Sequence, residues 1–314
     1  MSATAKVWAL HLALLAALYA AQFLLPPYYA TNLARIMVLA VFAIGYNLAF
    51  GYTGLLSLGH ALFFAAGMYG MGLPGYLLEW TALPSLITGL VAGGAVAAAV
   101  GLLALRTTGV SFMIVTLMFA QAGYLTILYL APYTGGDEGF VIEAAGRSIA
   151  GLDLALDGHR YTFALLLFAV ALLICLSLVR SRFGRTMVAM RENEDRSRML
   201  GYNPFTIKLT ALTISGLYAG ASGAAYAILF GYVGASFATI QYSILPMLYV
   251  LLGGAGTVIG PFLGAALMFT LIEATSGLTS AYLFLVGAAL VALVLFAPKG
   301  ILGTIRERWV RWLP

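Results

Sequence analysis

The chain has 314 residues, 62% of them hydrophobic and only 9% charged, with a formal net charge of +5. A soluble domain carries about a quarter charged residues, so this composition excludes an ordinary soluble enzyme and indicates an all-α polytopic membrane protein. Long unbroken apolar runs exclude a β-barrel, and basic residues confined between those runs follow the positive-inside rule rather than a nucleic-acid surface.

A helix needs ~20 mostly apolar residues to cross ~30 Å of hydrocarbon. On that measure spans are predicted at 7–25, 33–51, 55–78, 84–104, 110–130, 161–179, 209–231, 241–258, 259–276 and 281–297. The first follows Lys6 and is closed by Pro26-Pro27; it is too long for a signal-peptide core, which makes it a membrane helix. The second ends in Phe50-Gly51-Tyr52-Thr53-Gly54, a string that recurs as Phe230-Gly231-Tyr232-Val233-Gly234 at the end of the seventh. The two copies fall at opposite membrane surfaces, the relation an inverted repeat would give.

Glycine and serine interrupt the third span at Gly54, Ser57, Gly59, Gly67 and Gly70, which predicts a kinked or re-entrant path. Ser57 and His60 lie three apart and share a face if the segment is helical. Together with Gly54 and Gly59 they are candidates to line a translocation pathway; packing of His60 between helices, against a carbonyl, is the competing reading. After the fifth span comes the one long outer loop, 131–160, opening with Ala131-Pro132-Tyr133-Thr134-Gly135-Gly136-Asp137-Glu138-Gly139, a run that predicts turns. Cys175 sits inside the sixth span as a small core residue and can form no intrachain disulfide.

Residues 180–208 carry seven of the sixteen Lys/Arg and three of the eleven acids. Arg185 to Leu200 has no Gly or Pro, and Gly201 and Pro204 follow, which predicts one amphipathic helix anchored by Met187, Val188, Met190, Met199 and Leu200. Leu252-Gly253-Gly254-Ala255-Gly256-Thr257-Val258-Ile259-Gly260-Pro261 reads as a hairpin turn or a discontinuous helix; no strand–helix unit surrounds it, so it is no nucleotide loop. With both ends cytoplasmic, thirteen of the sixteen Lys/Arg lie inside, leaving Arg35, Arg147 and Arg160 outside.

The chain carries no ATP-binding loop: Lys6, Lys208 and Lys299 are followed by Val7, Leu209 and Gly300. Glu273 is the sole carboxylate placed to relay protons within the spans. No nucleophile–base pair and no metal-ligand spacing is visible, so no enzyme activity, cofactor or metal is expected of this chain. Any transport it performs draws energy from another subunit.

Ser181-Arg-Phe-Gly-Arg185, Ala189-Met-Arg-Glu-Asn-Glu194 and Leu200-Gly-Tyr202 resemble the cytoplasmic coupling loop of LivM-type permeases of branched-chain amino acid ABC importers. Asn47-Leu48 with Gly51-Tyr-Thr-Gly-Leu-Leu-Ser-Leu-Gly-His-Ala61, Thr116-Leu-Met-Phe-Ala120, Thr134-Gly-Gly136 with Gly139, Leu252–Thr257 with Gly260-Pro261, and Ala297-Pro-Lys-Gly-Ile301 extend the likeness in order across residues 45–303. The resemblance implies one permease domain over 1–314 in the bacterial inner membrane, with 1–6, 180–208 and 298–314 cytoplasmic. It implies a second homologous permease (a heterodimer), two cytoplasmic ATPases holding ATP and Mg, an extracytoplasmic solute-binding protein, and surrounding lipid. Arg185, Arg191, Glu192, Asn193, Glu194 and Gly201 would couple to the ATPase. Gly135, Gly136 and Asp137 would gate the outer mouth or dock the binding protein. Urea, amides or aromatic acids are the alternative solutes, and a stand-alone secondary transporter or channel is the more distant reading.

Overall fold

The computed structural model describes residues 3–149, 151–277, scattered positions between 281 and 297, and 299–308. The chain is helical and multi-pass. Among the described residues, seven helices are long and apolar enough to cross a membrane: α1 (Ala3–Leu24), α2 (Pro27–Asn47, continued by a π turn Leu48–Tyr52), α3 (His60–Leu78), α4 (Ala82–Ala104), α5 (Val110–Tyr129), α7 (Asp157–Arg180) and α10 (Pro204–Phe230). Short α6 (Ala131–Thr134) follows α5; α8 (Arg182–Glu192) and α9 (Glu194–Met199) lie between α7 and α10. Two shorter apolar helices, α11 (Ile240–Gly253) and α12 (Gly260–Ser276), come next, and α13 (Gly300–Arg308) comes last. The expected span at 281–297 falls largely outside the described residues.

Burial ranks the helices. In the apolar stretches of α2 and α10, 83% and 72% of the residues are buried, whereas in α1 and α5 only 17% are, and their apolar side chains are left largely uncovered. α2 and α10 run antiparallel through the centre: Ser222 Oγ donates to the Val38 carbonyl (2.7 Å), and Gly45 lies against Ser215 and Tyr218. α10 packs on α3 and α4, while α2 packs on α7, α11 and α12. Glycine sets the first of these contacts. A Cβ on Gly220 would sit 2.9 Å from both the Gly89 carbonyl oxygen and the Gly93 Cα, so α4 and α10 meet backbone to backbone. α1 is strapped to α7 by Tyr161 Oη, which donates to the Leu18 carbonyl at 2.6 Å.

The two Phe-Gly-Tyr strings do lie at opposite ends of this antiparallel pair. Each ends a central helix, and each is followed by chain that leaves the α-helix (53–59, and 231–239 with a 3-10 turn at Ala235–Ala238) before the next α-helix begins at His60 or Ile240. α11, at 14 residues, rises only about 21 Å, so the span expected over 241–258 is not one crossing helix. Gly254, at φ 119°, ends it because other residues disfavour that backbone. The 131–160 loop folds back across its end of the bundle: β1 (Phe140–Val141) pairs with β4 (Tyr232–Val233), and β2 (Ser148–Ile149) with β3 (Leu152–Asp153).

Candidate functional site

The segment between α7 and α10 is two helices, not the one expected over 185–200. Asn193 is extended (φ −158°, ψ 103°), and its Oδ1 accepts from the Arg196 amide at 2.8 Å, capping a new helix. Asparagine is a strong N-cap, and Glu194 and Asp195 in the first turn suit the positive helix end. Ser181 caps α8 by accepting from the Gly184 amide (3.2 Å), and Asn203 caps α10 by accepting from Thr206 (3.3 Å). Gly201, at φ 88°, closes α9: its amide donates to Arg198 O (3.0 Å) and the Tyr202 amide to Ser197 O (3.2 Å).

The apolar residues of this segment divide. Met187 and Met190 are buried against the bundle. Met199 and Leu200, expected to be anchors, are instead 87% and 73% exposed, with Tyr202 beside them. The break at Asn193 is the reason, because it turns α9 off the face that α8 buries. Of the expected coupling residues, Arg185, Glu192, Asn193 and Gly201 are exposed, together with Asp195, Arg196 and Arg198. Glu194 turns inward and binds Lys208 Nζ at 2.5 Å, with Arg198 3.3 Å away on its other oxygen.

Arg191 is exposed as well, but its guanidinium reaches back to the bundle. Its guanidinium donates to the carbonyl of Gly51 in the π turn that ends α2. A π turn spreads the backbone by one residue and is frequent at functional sites. One turn earlier, buried Asn47 spans to the glycine-rich loop: its Nδ2 donates to Thr257 O (2.8 Å) and its Oδ1 accepts from the Gly256 amide (2.9 Å). Arg306 on α13 donates to Gly256 O at 3.2 Å. Gly51 must stay small, since a Cβ there would meet the Asn47 side chain and the Gly256 amide. α8, the end of α2, the 254–257 loop and α13 are thereby tied into one polar knot. A cleft of about 520 Å³ opens beside it, between Gly54, Thr107 and Arg191.

Ser57 and His60 do not share a helical face, because residues 53–59 are not helical. Hydroxyls hold this non-helical backbone. Thr116 Oγ1 accepts from the Leu58 amide (3.1 Å), Ser57 Oγ from Gly59 (3.1 Å) and Ser243 Oγ from Ala61 (3.0 Å). Such chain persists within a membrane only where protein satisfies and surrounds it. His60 is fully buried, edge-on to Tyr46 and Phe63, with Nε2 2.8 Å from Ser215 Oγ. At the other end Gly135 (φ 75°) and Gly136 (φ 59°) turn the chain, and Asp137 stands exposed.

Sequence reasoning passed over Asn47 and Arg306. Asn47 carried a signal, an amide within a run of apolar residues; Arg306 looked like one more positive charge of a basic tail.

A family model described as branched-chain amino acid transport system / permease component matches residues 28–297. The high-affinity branched-chain amino acid transport system permease protein LivM of Escherichia coli (strain K12) is 30% identical over 298 residues, 87% of this chain and 69% of the relative. The LivM protein of Salmonella typhimurium matches to the same extent. The autoinducer 2 import system permease protein LsrC of Photorhabdus luminescens is 32% identical over 143 residues, 42% of each chain. No solved structure matches significantly. A matched family over most of the length, on a helical bundle with membrane-length spans, means that the chain belongs to the branched-chain amino acid transport permease family, as a multi-pass ABC-importer permease subunit.

Proposed function

We propose that this chain is one of two permeases in an importer for branched-chain amino acids, driven by separate ATPases that grip the α8–α9 tip from the cytoplasm. One observation carries the reading: the exposed tip and the break in the central helix α2 are joined by a single side chain, Arg191 on Gly51. Met199, Leu200 and Tyr202 offer an apolar anchor inside a charged rim, the composition of a protein interface with a buried centre. A push on the tip would travel through Arg191 to the π turn, and through Asn47 to the 254–257 loop between α11 and α12. The bundle would then rock between states open to either side.

The closed surroundings of His60 fit a resting state. Opening along His60, Ser57, Gly54 and Gly59 requires α3 and α10 to part at the His60–Ser215 contact. A solute-binding protein would dock on the outer loops near Gly135, Gly136 and Asp137. Branched-chain amino acids are the solute named for the LivM relatives, while the LsrC relatives are named for autoinducer 2. Uptake of radiolabelled leucine, valine and isoleucine by the reconstituted importer decides between these solute classes.

Replacing Met199 and Leu200 together by Asp tests the coupling claim. The ATPase that copurifies with the wild-type chain should be recovered at least about tenfold less, since a hot-spot side chain contributes about 2 kcal/mol or more. Unchanged recovery would remove the tip from the interface.

A further inference from the structure

At the end of the bundle away from the coupling segment, a cavity of about 640 Å³ lies between the start of α2 and the end of α12. Arg35 and Glu273 both line it and do not pair with each other. Arg35 lies about 12 Å along α2 from Pro27, well inside the span. Its guanidinium lies over the Phe230 ring at 4.8 Å and within electrostatic reach of Tyr226 and Tyr242, none of them a counter-charge, and its Nε is buried without a partner among the described residues. Glu273 accepts from Tyr28 Oη and from Asn32 Nδ2 (2.7 Å), but both bonds go to Oε1, leaving Oε2 without a partner among the described residues. Asp157 at the rim is held by Arg160 at 2.9 Å and does not neutralise Arg35.

Opposite charges within a membrane ordinarily pair, because an unpaired one is costly there. Here each keeps an open valence toward the same space, which falls within the ~300–1,000 Å³ range of small-molecule sites. Phe269 and Ile272 give the cavity an apolar wall. We infer that this cavity is an outer reception site for a small zwitterion with an aliphatic body, in which Arg35 takes the carboxylate and Glu273 the ammonium. The ligand class is a free branched-chain α-amino acid, and in that respect the inference rests on the function proposed above. A guanidinium fork suits a carboxylate, Glu273 Oε2 suits one ammonium proton, and the side chain lies along Phe269 and Ile272. The site would hold solute released by the binding protein before the bundle opens.

Equilibrium binding of radiolabelled leucine to the purified importer, this chain with its copurifying partners, tests the assignment in phosphatidylcholine nanodiscs. Glu273→Gln keeps an oxygen for Tyr28 and Asn32 and removes only the charge. It should weaken leucine about tenfold or more, as expected for loss of a charged hydrogen bond, and leave competition by 4-methylpentanoate, which has no ammonium, unchanged. Arg35→Gln should weaken leucine similarly and leave competition by leucinamide, which has no carboxylate, unchanged. Wild-type leucine affinity in both variants overturns the site while leaving the uptake result, and so the proposed function, intact. A defect seen only after phosphatidylethanolamine is added also overturns it, because the zwitterion is then a lipid headgroup. If the wild-type importer neither takes up nor binds branched-chain amino acids, the parent reading fails as well.

Discussion

Arg191 ties helix α8 to the π turn that ends α2, and Asn47 ties α2 to the 254–257 loop. Both are long or polar side chains spent on backbone carbonyls and amides rather than on another side chain. Losing Asn47 would strand the Gly256 amide and the Thr257 carbonyl in a buried place. Asn47→Ala should therefore destabilise the chain by about 2–6 kcal/mol, as two unsatisfied groups cost about 1–3 kcal/mol each; thermal unfolding of the purified chain measures it. Arg191→Ala should behave differently. The ATPases should still bind through the exposed tip and hydrolyse ATP, while solute uptake falls about tenfold or more, the cost of one charged hydrogen bond being about 1.5–3 kcal/mol. Equal losses of uptake and ATPase recovery would return Arg191 to the partner interface. Charge alone could not show this. An arginine on an amphipathic helix reads as solvated, and only the fold reveals that its stem reaches back under the π turn.

At the scale of elements, hydropathy and length located the long helices well, because a chain in hydrocarbon must satisfy its backbone internally and the helix is the local way to do so. Hydropathy does not say where a helix pauses. Residues 53–59 leave the helix because Thr116, Ser57 and Ser243 offer hydroxyls from distant or neighbouring segments, and no window of sequence displays that pairing. The break at Asn193 was legible in principle, since an asparagine followed by two acids is a helix start even within a Gly- and Pro-free run. Glycine provides a test at this scale. Gly220→Ala drives a methyl into the α4 backbone and should lower stability by about 1–3 kcal/mol, whereas Gly158→Ala, with open space around it at the start of α7, should be neutral or slightly stabilising. Melting both variants side by side separates helix contact from helix propensity; equal effects would discard the contact argument.

Across the whole molecule, the two Phe-Gly-Tyr breaks sit at opposite ends of an antiparallel central pair, one beside Arg191 and the other against the outer strand pair. The two are connected through α2 and α10, which pack against each other. Where Lys and Arg collect sets the expected sidedness of the bundle, since the positive-inside rule depends on composition and not on packing. The cavity between Arg35 and Glu273 was not legible in the sequence, because the two are 238 positions apart and neither belongs to a motif.

The central claim is that the α8–α9 tip faces the cytoplasm and meets an ATPase there. Met199→Cys tests it most directly: Met199 is 87% exposed and the native Cys175 is fully buried, so an introduced thiol should be the one that reacts. In intact cells a membrane-impermeant maleimide should leave position 199 unmodified; in inverted vesicles it should label it, and less so when the ATPase is bound. Labelling from outside intact cells would contradict the account.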